Sequence, residues 1–204
     1  MKPTKQHIQD HALKLFNEKG FVNVRLQHIA DAAFVSVGHL AYHFKNKDAI
    51  IEILYDELRE EQEKLLNEYR VVPLFEDINN YLVATYKQQW AHIFFYIDTL
   101  EVLRAYTAIQ EKHGRHIQWK LAQIKNMLSF NCSRGSLVSM PEMQLNQLAW
   151  QLRSLIDVWP YLTKIEGRKE ASVQHFLSDI WGIFSPFFTD MGHREYQQLN
   201  YNAE

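Results

Sequence analysis

The chain has 204 residues, of which 47% are hydrophobic and 23% are charged, a balance that fits a folded globular protein and excludes a disordered one. Its formal net charge of -2 does not by itself indicate a nucleic-acid partner, and its single cysteine, Cys132, excludes an intrachain disulfide. The most apolar runs, residues 93–97 and 180–188, are far shorter than the roughly 18 residues of a membrane span, and no signal peptide follows Met1, so we expect a cytoplasmic protein without a membrane segment.

Only seven glycines and five prolines interrupt the sequence, which predicts an all-α fold. The first helix is predicted to start at Thr4, whose hydroxyl can cap free backbone N–H groups, and to end at Gly20. Its apolar side chains follow helical spacing and are Ile8, Ala12, Leu15 and Phe16. We therefore expect this helix to pack against a core.

Two short helices are predicted next, over residues 26–32 and from Val37 to about Phe44, the second capped by Ser36. Only residues 33–35 separate the first of them from this cap. Two short helices joined by such a tight turn, behind a longer helix, are typical of a helix-turn-helix unit.

A long helix is predicted from Lys47 to Tyr69, ending before Val72 because a residue that precedes a proline avoids helical geometry. Later helices are predicted over 75–91, 93–104, 107–131, 141–165 and 169–190, followed by a frayed tail over 194–204. The sequence thus predicts an N-terminal three-helix helix-turn-helix domain, residues 1–46, and a larger C-terminal helical domain, residues 47–204.

Charge is unevenly distributed along the chain. Residues 1–50 hold seven Lys and Arg against four Asp and Glu, whereas the remainder holds 15 against 20. Five of the ten histidines also lie in the first 50 residues. A basic head on an acidic body favours a polyanionic partner for the head.

Residues 29–48 read IADAAFVSVGHLAYHFKNKD and contain the pattern I-A-x-x-A-x-V-S-x-G-x-L-x-Y-H-F-x-x-K. This stretch resembles the DNA-binding signature of the TetR family of bacterial repressors, and the resemblance covers roughly residues 4–50. It implies a transcriptional regulator, not an enzyme, that binds a double-stranded DNA operator as a homodimer. It also implies that the C-terminal domain binds a ligand and forms the dimer.

The resemblance assigns roles to individual side chains of the helix-turn-helix. Val37 and His39 are expected to face base edges in the major groove. Ser36, Tyr42 and Lys47 are expected to contact phosphates, which fix register rather than sequence. The whole expected DNA-binding set is Arg25, Ser36, Val37, Gly38, His39, Tyr42 and Lys47.

Three residues depart from the family pattern. Phe34 stands where the family usually has glycine, so either the turn differs locally or the ring finds a packing site. Arg25 stands where threonine or serine is frequent, and it cannot cap the second helix with a side-chain oxygen, although it can reach a phosphate. Ala41 replaces a frequent tyrosine.

Aromatic residues are numerous in the larger domain, where the resemblance implies a pocket for a partly apolar small molecule. Asp98 and Asp157 lie among apolar neighbours and are candidates to orient a polar ligand, with solvent exposure as the alternative. The aromatic candidates for ligand contact are Trp90, Phe94, Tyr106, Trp119 and Trp159, with core packing as the alternative.

The last two predicted helices carry apolar stripes that look too wide for the surface of a monomer. The resemblance implies that these helices pair with their copies in a second subunit, and the alternative is core packing within one chain. The stripe residues are Leu148, Leu152, Leu155, Ile156, Trp159, Phe176, Leu177, Ile180, Trp181, Phe184 and Phe188.

Neither a metal nor another cofactor is expected. The i, i+4 histidine pairs lack a nearby carboxylate or cysteine to complete a zinc site, and no catalytic sequence motif is present. The histidines concerned are His7 with His11 and His39 with His43, while His113 and His116 are candidates for ligand contact.

The sequence therefore favours a repressor that a small molecule releases from its operator. Two alternatives stay open. One is a constitutive DNA-binding regulator without a ligand, and the other is a helical enzyme or interaction module with a vestigial helix-turn-helix.

Overall fold

The computed structural model describes residues 4–69, 71–167 and 172–201, and within these ranges the regular elements are helices. The helices are α1 Thr4–Lys19, α2 Leu26–Ala32, α3 Val37–His43, α4 Lys47–Tyr69, α5 Phe75–Ala91, α6 Ile93–Ile97, α7 Thr99–Ala105, α8 Thr107–Ser133, α9 Glu142–Ile165, α10 Val173–Phe184 and α11 Asp190–Tyr201. An isolated bridge between Leu137 and Phe188 is the β-pairing found there. The predicted all-α fold is confirmed.

The chain forms two compact units. The first unit contains the chain up to Glu61 together with Ala91–Gly114, and the second contains Gln62–Trp90 and the chain from Arg115 onward. The boundaries fall within α4 and α8 and before the last residue of α5, so these three helices contribute residues to each unit. The division at residues 46 and 47 stays a prediction.

The first unit is built around the N-terminal helices. The predicted apolar face of α1 is buried, and Gly20 ends the helix at a φ of +76°, as expected of a left-handed C′ glycine. The core residues contributed by the first three helices and the start of α4 are Ile8, Ala12, Leu15, Phe16, Ile29, Ala30, Leu40, Phe44 and Ile50. Packing on this core fixes the orientation of α2 and α3.

The predicted single helix over 93–104 is wrong, because the chain breaks at Asp98 into α6 and α7. The Asp98 carboxylate accepts the backbone N–H of Phe21 at 2.7 Å, and its own N–H donates to the carbonyl of Phe94. Asp98 thus holds the loop after α1 within the first unit, and its role in orienting a ligand stays a prediction.

The second unit has an aromatic core built largely by α5, α9 and α10. Trp181 lies 5.1 Å from Phe75 and 4.5 Å from Phe184 between ring centroids. Most residues of the stripes expected at the subunit interface are buried here within one chain, and the others pack against the same core. The inference that these stripes are too wide for one chain is wrong, since α5 and α8 also pack against them.

The C-terminal segment differs from its prediction. The predicted helix start at residue 169 lies outside the described residues, and α10 ends at Phe184 in a 3-10 turn that contains Pro186, which has no N–H to continue the helix. Residues 190–201 then form α11, so the expected frayed tail is wrong as far as residue 201. Arg134 holds α11 by donating from Nη1 and Nη2 to the two carboxylate oxygens of Glu195.

Within the described ranges, the helices are all too short or too polar to cross a membrane.

Candidate nucleic-acid interface and ligand cavity

The turn between α2 and α3 is fixed by backbone and side-chain hydrogen bonds. Val35 donates its N–H to the carbonyl of Ala30 at 3.0 Å, and the Nε2 of His7 donates to the carbonyl of Ala33 at 3.2 Å. The Ser36 hydroxyl accepts the backbone N–H of His39 at 3.1 Å and so caps α3, as predicted. The start of α3 is therefore held rigidly.

The outer face of α3 is open to solvent. Its buried residue is Leu40, whereas Val37, Gly38 and His39 are exposed and Tyr42 is 83% exposed. An exposed helix start offers donors and apolar groups to a partner without a change in the core. The expected contact residues Val37, His39 and Tyr42 of α3 are thus accessible to a partner.

Gly38 has no intramolecular reason to be glycine. A Cβ built at this position meets only the Oγ of Ser36, at 3.9 Å, and the residue lies inside a helix, where glycine costs about 1 kcal/mol relative to alanine. The protein thus carries a destabilising residue at an exposed position of α3. This is expected if another molecule must approach the backbone of α3 closely.

Phe34 keeps the left-handed conformation that glycine would adopt in this turn. Its φ is +54° and it is 91% exposed. The alternative that the ring finds a packing site is therefore wrong within this chain. An L-residue in this conformation costs about 1–2 kcal/mol, so the turn is strained without compensating burial.

Replacing Phe34 with glycine is expected to raise the free energy of unfolding by about 0.5–1 kcal/mol, because the removed strain exceeds the extra freedom of glycine in the unfolded chain. Urea unfolding of the two proteins measures the difference. Phe34→Ala is the matched control, since it removes the ring and keeps the strained φ. Equal stabilisation by alanine and glycine would show that the ring and not the backbone is responsible.

Lys47 and Arg25 flank the helix-turn-helix. The Nζ of Lys47 donates to the carbonyls of Phe21 and Val24, both at 2.9 Å, and burial lowers the pKa of this lysine. Its third N–H is the donor left for the expected phosphate. Arg25 is exposed and gives α2 no side-chain cap, while its backbone N–H donates to the Nδ1 of His28 at 3.2 Å.

The histidine pairs pack as rings. The centroids of His7 and His11 are 4.5 Å apart, and those of His39 and His43 are 5.2 Å apart. In the part of the chain that the structure describes, no three His, Cys, Asp or Glu side chains are grouped to hold a metal.

His113 and His116, the two histidines that are candidates for ligand contact, belong to different units. His113 lies in the first unit against Tyr55 and Phe95, and the ring of His116 stacks on Trp119 in the second, with centroids 5.6 Å apart. Contact of either histidine with a ligand stays a prediction.

The five aromatic candidates for ligand contact fall into two hydrophobic clusters. Phe94 packs on Phe16 in the first unit, where the Tyr106 hydroxyl donates to Asp48 at 2.9 Å. The other three, Trp90, Trp119 and Trp159, belong to the second unit. The structure therefore does not bring the five candidates together in one cluster.

An apolar cavity of about 30 Å³ lies in the second unit between α5, α8, α9 and α10, with Tyr81, Ile124 and Ile156 in its wall. None of the five aromatic candidates lines it. Lys120 and Arg153, which lie beside this wall, were not predicted from the sequence. The spacing could have indicated Lys120, because it precedes Ile124 by four residues and therefore lies on the apolar face of α8.

Comparison with known protein families gives two matches. A model described as bacterial regulatory proteins of the tetR family matches residues 8–54. A model described as bacterial transcriptional repressor matches residues 57–196. Together they cover the helix-turn-helix and most of the remaining chain.

Among curated proteins, the probable HTH-type transcriptional regulator YttP of Bacillus subtilis is 41% identical over 63 residues. That alignment covers 31% of this chain and only 30% of YttP.

Two solved structures show the same fold at low identity. A TetR-family transcriptional regulator from Marinobacter aquaeolei VT8 has a TM-score of 0.85 at 24% identity, with 98% of each chain covered. The complex of SmeT with triclosan has a TM-score of 0.63 at 17% identity, with 92% of each chain covered. SmeT is the repressor of a Stenotrophomonas maltophilia multidrug efflux pump.

Proposed function

Because this chain belongs to the TetR family of DNA-binding transcriptional regulators, we propose that it is a cytoplasmic repressor that acts as a homodimer and that a small molecule releases from its operator. The observation that carries the proposal is the start of α3, which Ser36 caps and which exposes Gly38 on an open surface. In a dimer, two such helices enter successive major grooves of a roughly palindromic operator.

The exposed side chains of α3 suit both parts of DNA recognition. Val37 can contact a thymine methyl, and the His39 ring can donate to or accept from a base edge. The Ser36 oxygen accepts one N–H, which leaves its own O–H to donate to a phosphate. Tyr42 and Arg25 offer further donors to the phosphates of the DNA backbone. The excess positive charge of the first 50 residues attracts these phosphates.

The proposed subunit interface is the solvent-facing side of α9. Its large exposed apolar residues recur at intervals of 7, 8, 3 and 4 positions, and they are Met143, Trp150, Val158, Tyr161 and Ile165. Trp150 is 57% exposed. A stripe of large apolar side chains along one face of a 24-residue helix is typical of a surface that a partner covers.

Replacing Trp150 with glutamate is expected to shift the protein from dimer to monomer at micromolar concentration, since the dimer would then bury an unpaired charge. Sedimentation velocity measures the change. Gln151→Glu is the control, because it adds the same charge at the next, exposed position of α9. A Trp150→Glu protein that stays dimeric would place the interface elsewhere.

Ligand release is proposed as a shift between two states of the dimer. The ligand must bind one state more tightly than the other, because equal affinity moves no equilibrium. We propose that it binds inside the second unit, whose hydrophobic cluster includes the aromatic candidates Trp90, Trp119 and Trp159. α4, which starts at Lys47, then moves and the spacing of the two α3 helices no longer fits the operator.

A reporter gene behind the upstream region of this protein's own gene tests the proposal. Repression by the protein, relieved by a small molecule that binds it, is the expected result. Repression that no binding molecule relieves would favour the constitutive regulator. A purified protein that shows no salt-dependent retention of this DNA would favour a vestigial helix-turn-helix instead.

A further inference from the structure

The interior of the second unit changes from apolar to charged within one helical turn. Tyr81 and Ile156 are in the wall of the apolar cavity. Lys120 on α8 and Asp157 on α9 lie beside this wall, and the charges of both act on the Tyr81 hydroxyl. A molecule that extends from the cavity along these helices therefore meets first apolar side chains and then charged ones.

The charged groups beside the cavity are not balanced. The Nζ of Lys120 donates to Asp157 Oδ1 at 2.5 Å, and Arg153 Nη1 donates to Asp157 Oδ2 at 3.3 Å. One carboxylate thus serves two cations, of which the Lys120 side chain is 5% exposed and the Arg153 side chain 16% exposed. The cluster carries one positive charge in excess.

Two further observations indicate that the cluster can bind an anionic oxygen. The Nε of Arg153 is buried and has no hydrogen-bond partner among the described residues. Although burial lowers the pKa of Lys120, the neighbouring Asp157 carboxylate raises it above its ordinary value, so the ammonium is charged at neutral pH. A buried N–H donor and a buried ammonium are both stabilised by an anionic oxygen.

Resting on the proposed function, we propose that the ligand is an amphiphile with one anionic head group of the carboxylate type and an unbranched apolar tail. Its head binds between Lys120 and Arg153, and its tail enters the cavity lined by Tyr81 and Ile156. A cationic head would meet two like charges there. A neutral head would leave the excess charge uncompensated.

The tail enters only if the cavity widens. At about 30 Å³ the cavity has room for little more than one water molecule. Met127 is in its wall, and an unbranched thioether side chain adapts readily to a new neighbour. The bound state therefore has a different interior packing, which gives the ligand the unequal affinity that release requires.

Calorimetric titration of the full chain with octanoate, 1-octanol and octylammonium tests the head group while the tail is held constant. Octanoate is expected to bind at least about tenfold more tightly than octanol, and octylammonium more weakly than either. Equal or tighter binding of octanol or octylammonium would overturn the proposal. The absence of octanoate binding would also overturn it.

Variants of the cluster assign the effect to named charges. Lys120→Met is expected to weaken octanoate binding at least about tenfold and to leave octanol binding unchanged. Asp157→Asn is expected to strengthen octanoate binding, since it removes the competing carboxylate. Lys125→Met is the control, because Lys125 lies on the same helix and pairs with Glu142 at 2.9 Å.

Lys120→Met and Asp157→Asn are expected to change octanoate affinity in opposite directions. If circular dichroism shows that one variant does not fold, the other still tests the proposal. Weaker octanoate binding by a folded Asp157→Asn protein would overturn the proposal.

Operator binding measured alongside separates this inference from the proposed function. Octanoate that binds through Lys120 but leaves operator affinity unchanged would support the ligand class and contradict ligand release. If octanol released the operator as effectively as octanoate, the result would support ligand release and contradict the proposal that the ligand has an anionic head group.

Discussion

Replacing Gly38 with alanine is expected to stabilise the free protein by about 1 kcal/mol and to weaken operator binding at least about tenfold. The stabilisation follows because alanine is the better helix former and the new Cβ meets only the Ser36 Oγ, at 3.9 Å. The loss of affinity follows because this Cβ projects from the exposed face of α3, where the account places the DNA. Thermal unfolding and a fluorescence-anisotropy titration with operator DNA measure the two effects.

Gly114→Ala is the matched control. Gly114 lies inside α8, is exposed, and a Cβ built there meets no atom within 4 Å. This variant is expected to gain similar stability and to keep its operator affinity. If Gly38→Ala retained full operator affinity, the backbone of α3 would not approach DNA closely and the assignment of the interface would be wrong.

Replacing Gly192 with alanine is expected to lower the free energy of unfolding by about 2 kcal/mol, within the range for overpacked sites. A Cβ built on Gly192 would lie 2.2 Å from the carbonyl oxygen of Ser136 and 3.3 Å from the Cβ of Phe188. A backbone oxygen cannot move aside as the end of a flexible side chain can. Part of α11 must therefore undock from the second unit.

Gln197→Ala is the control for this variant, because it places alanine at an exposed position of the same helix. It is expected to change stability by less than about 0.5 kcal/mol. Denaturant unfolding compares the two variants, and amide hydrogen exchange in α11 locates the change. A Gly192→Ala protein as stable as the parent would mean that α11 is not packed in solution.

Elements controlled by local chemistry could be predicted from the sequence. Gly20 ends α1 in the left-handed conformation, and Ser36 caps α3 through the N–H of His39. Each depends on residues within a few positions of one another. The signature around these residues also identified the family, and the matches to residues 8–54 and 57–196 confirm it.

Features that depend on distant residues could not be predicted in this way. The break between α6 and α7 is accompanied by the bond from Asp98 to the N–H of Phe21, 77 positions earlier in the chain. The docking of α11 depends on a salt bridge between Arg134 and Glu195. Helical periodicity carries no information about either contact.

Periodicity also cannot tell which partner covers an apolar stripe. The stripe that contains Leu152 and Trp159 packs within one chain, and the residues left exposed on α9 include Trp150. The spacing of both sets is helical, so the sequence alone could not separate core from surface. Lys120 and Arg153 were missed for a related reason, since periodicity does not show that Lys120 on α8 pairs with Asp157 on α9, 37 positions later.

Footprinting of the intergenic region next to this protein's gene, with the parent protein and a His39→Ala variant, tests the central claim most directly. If the exposed start of α3 reads the operator, the parent protein is expected to protect two half-sites whose centres lie about one helical turn, or a multiple of it, apart. The His39→Ala variant is expected to require about tenfold more protein for the same protection. No protection by the parent, or equal protection by both proteins, would contradict the claim that the exposed start of α3 reads the operator.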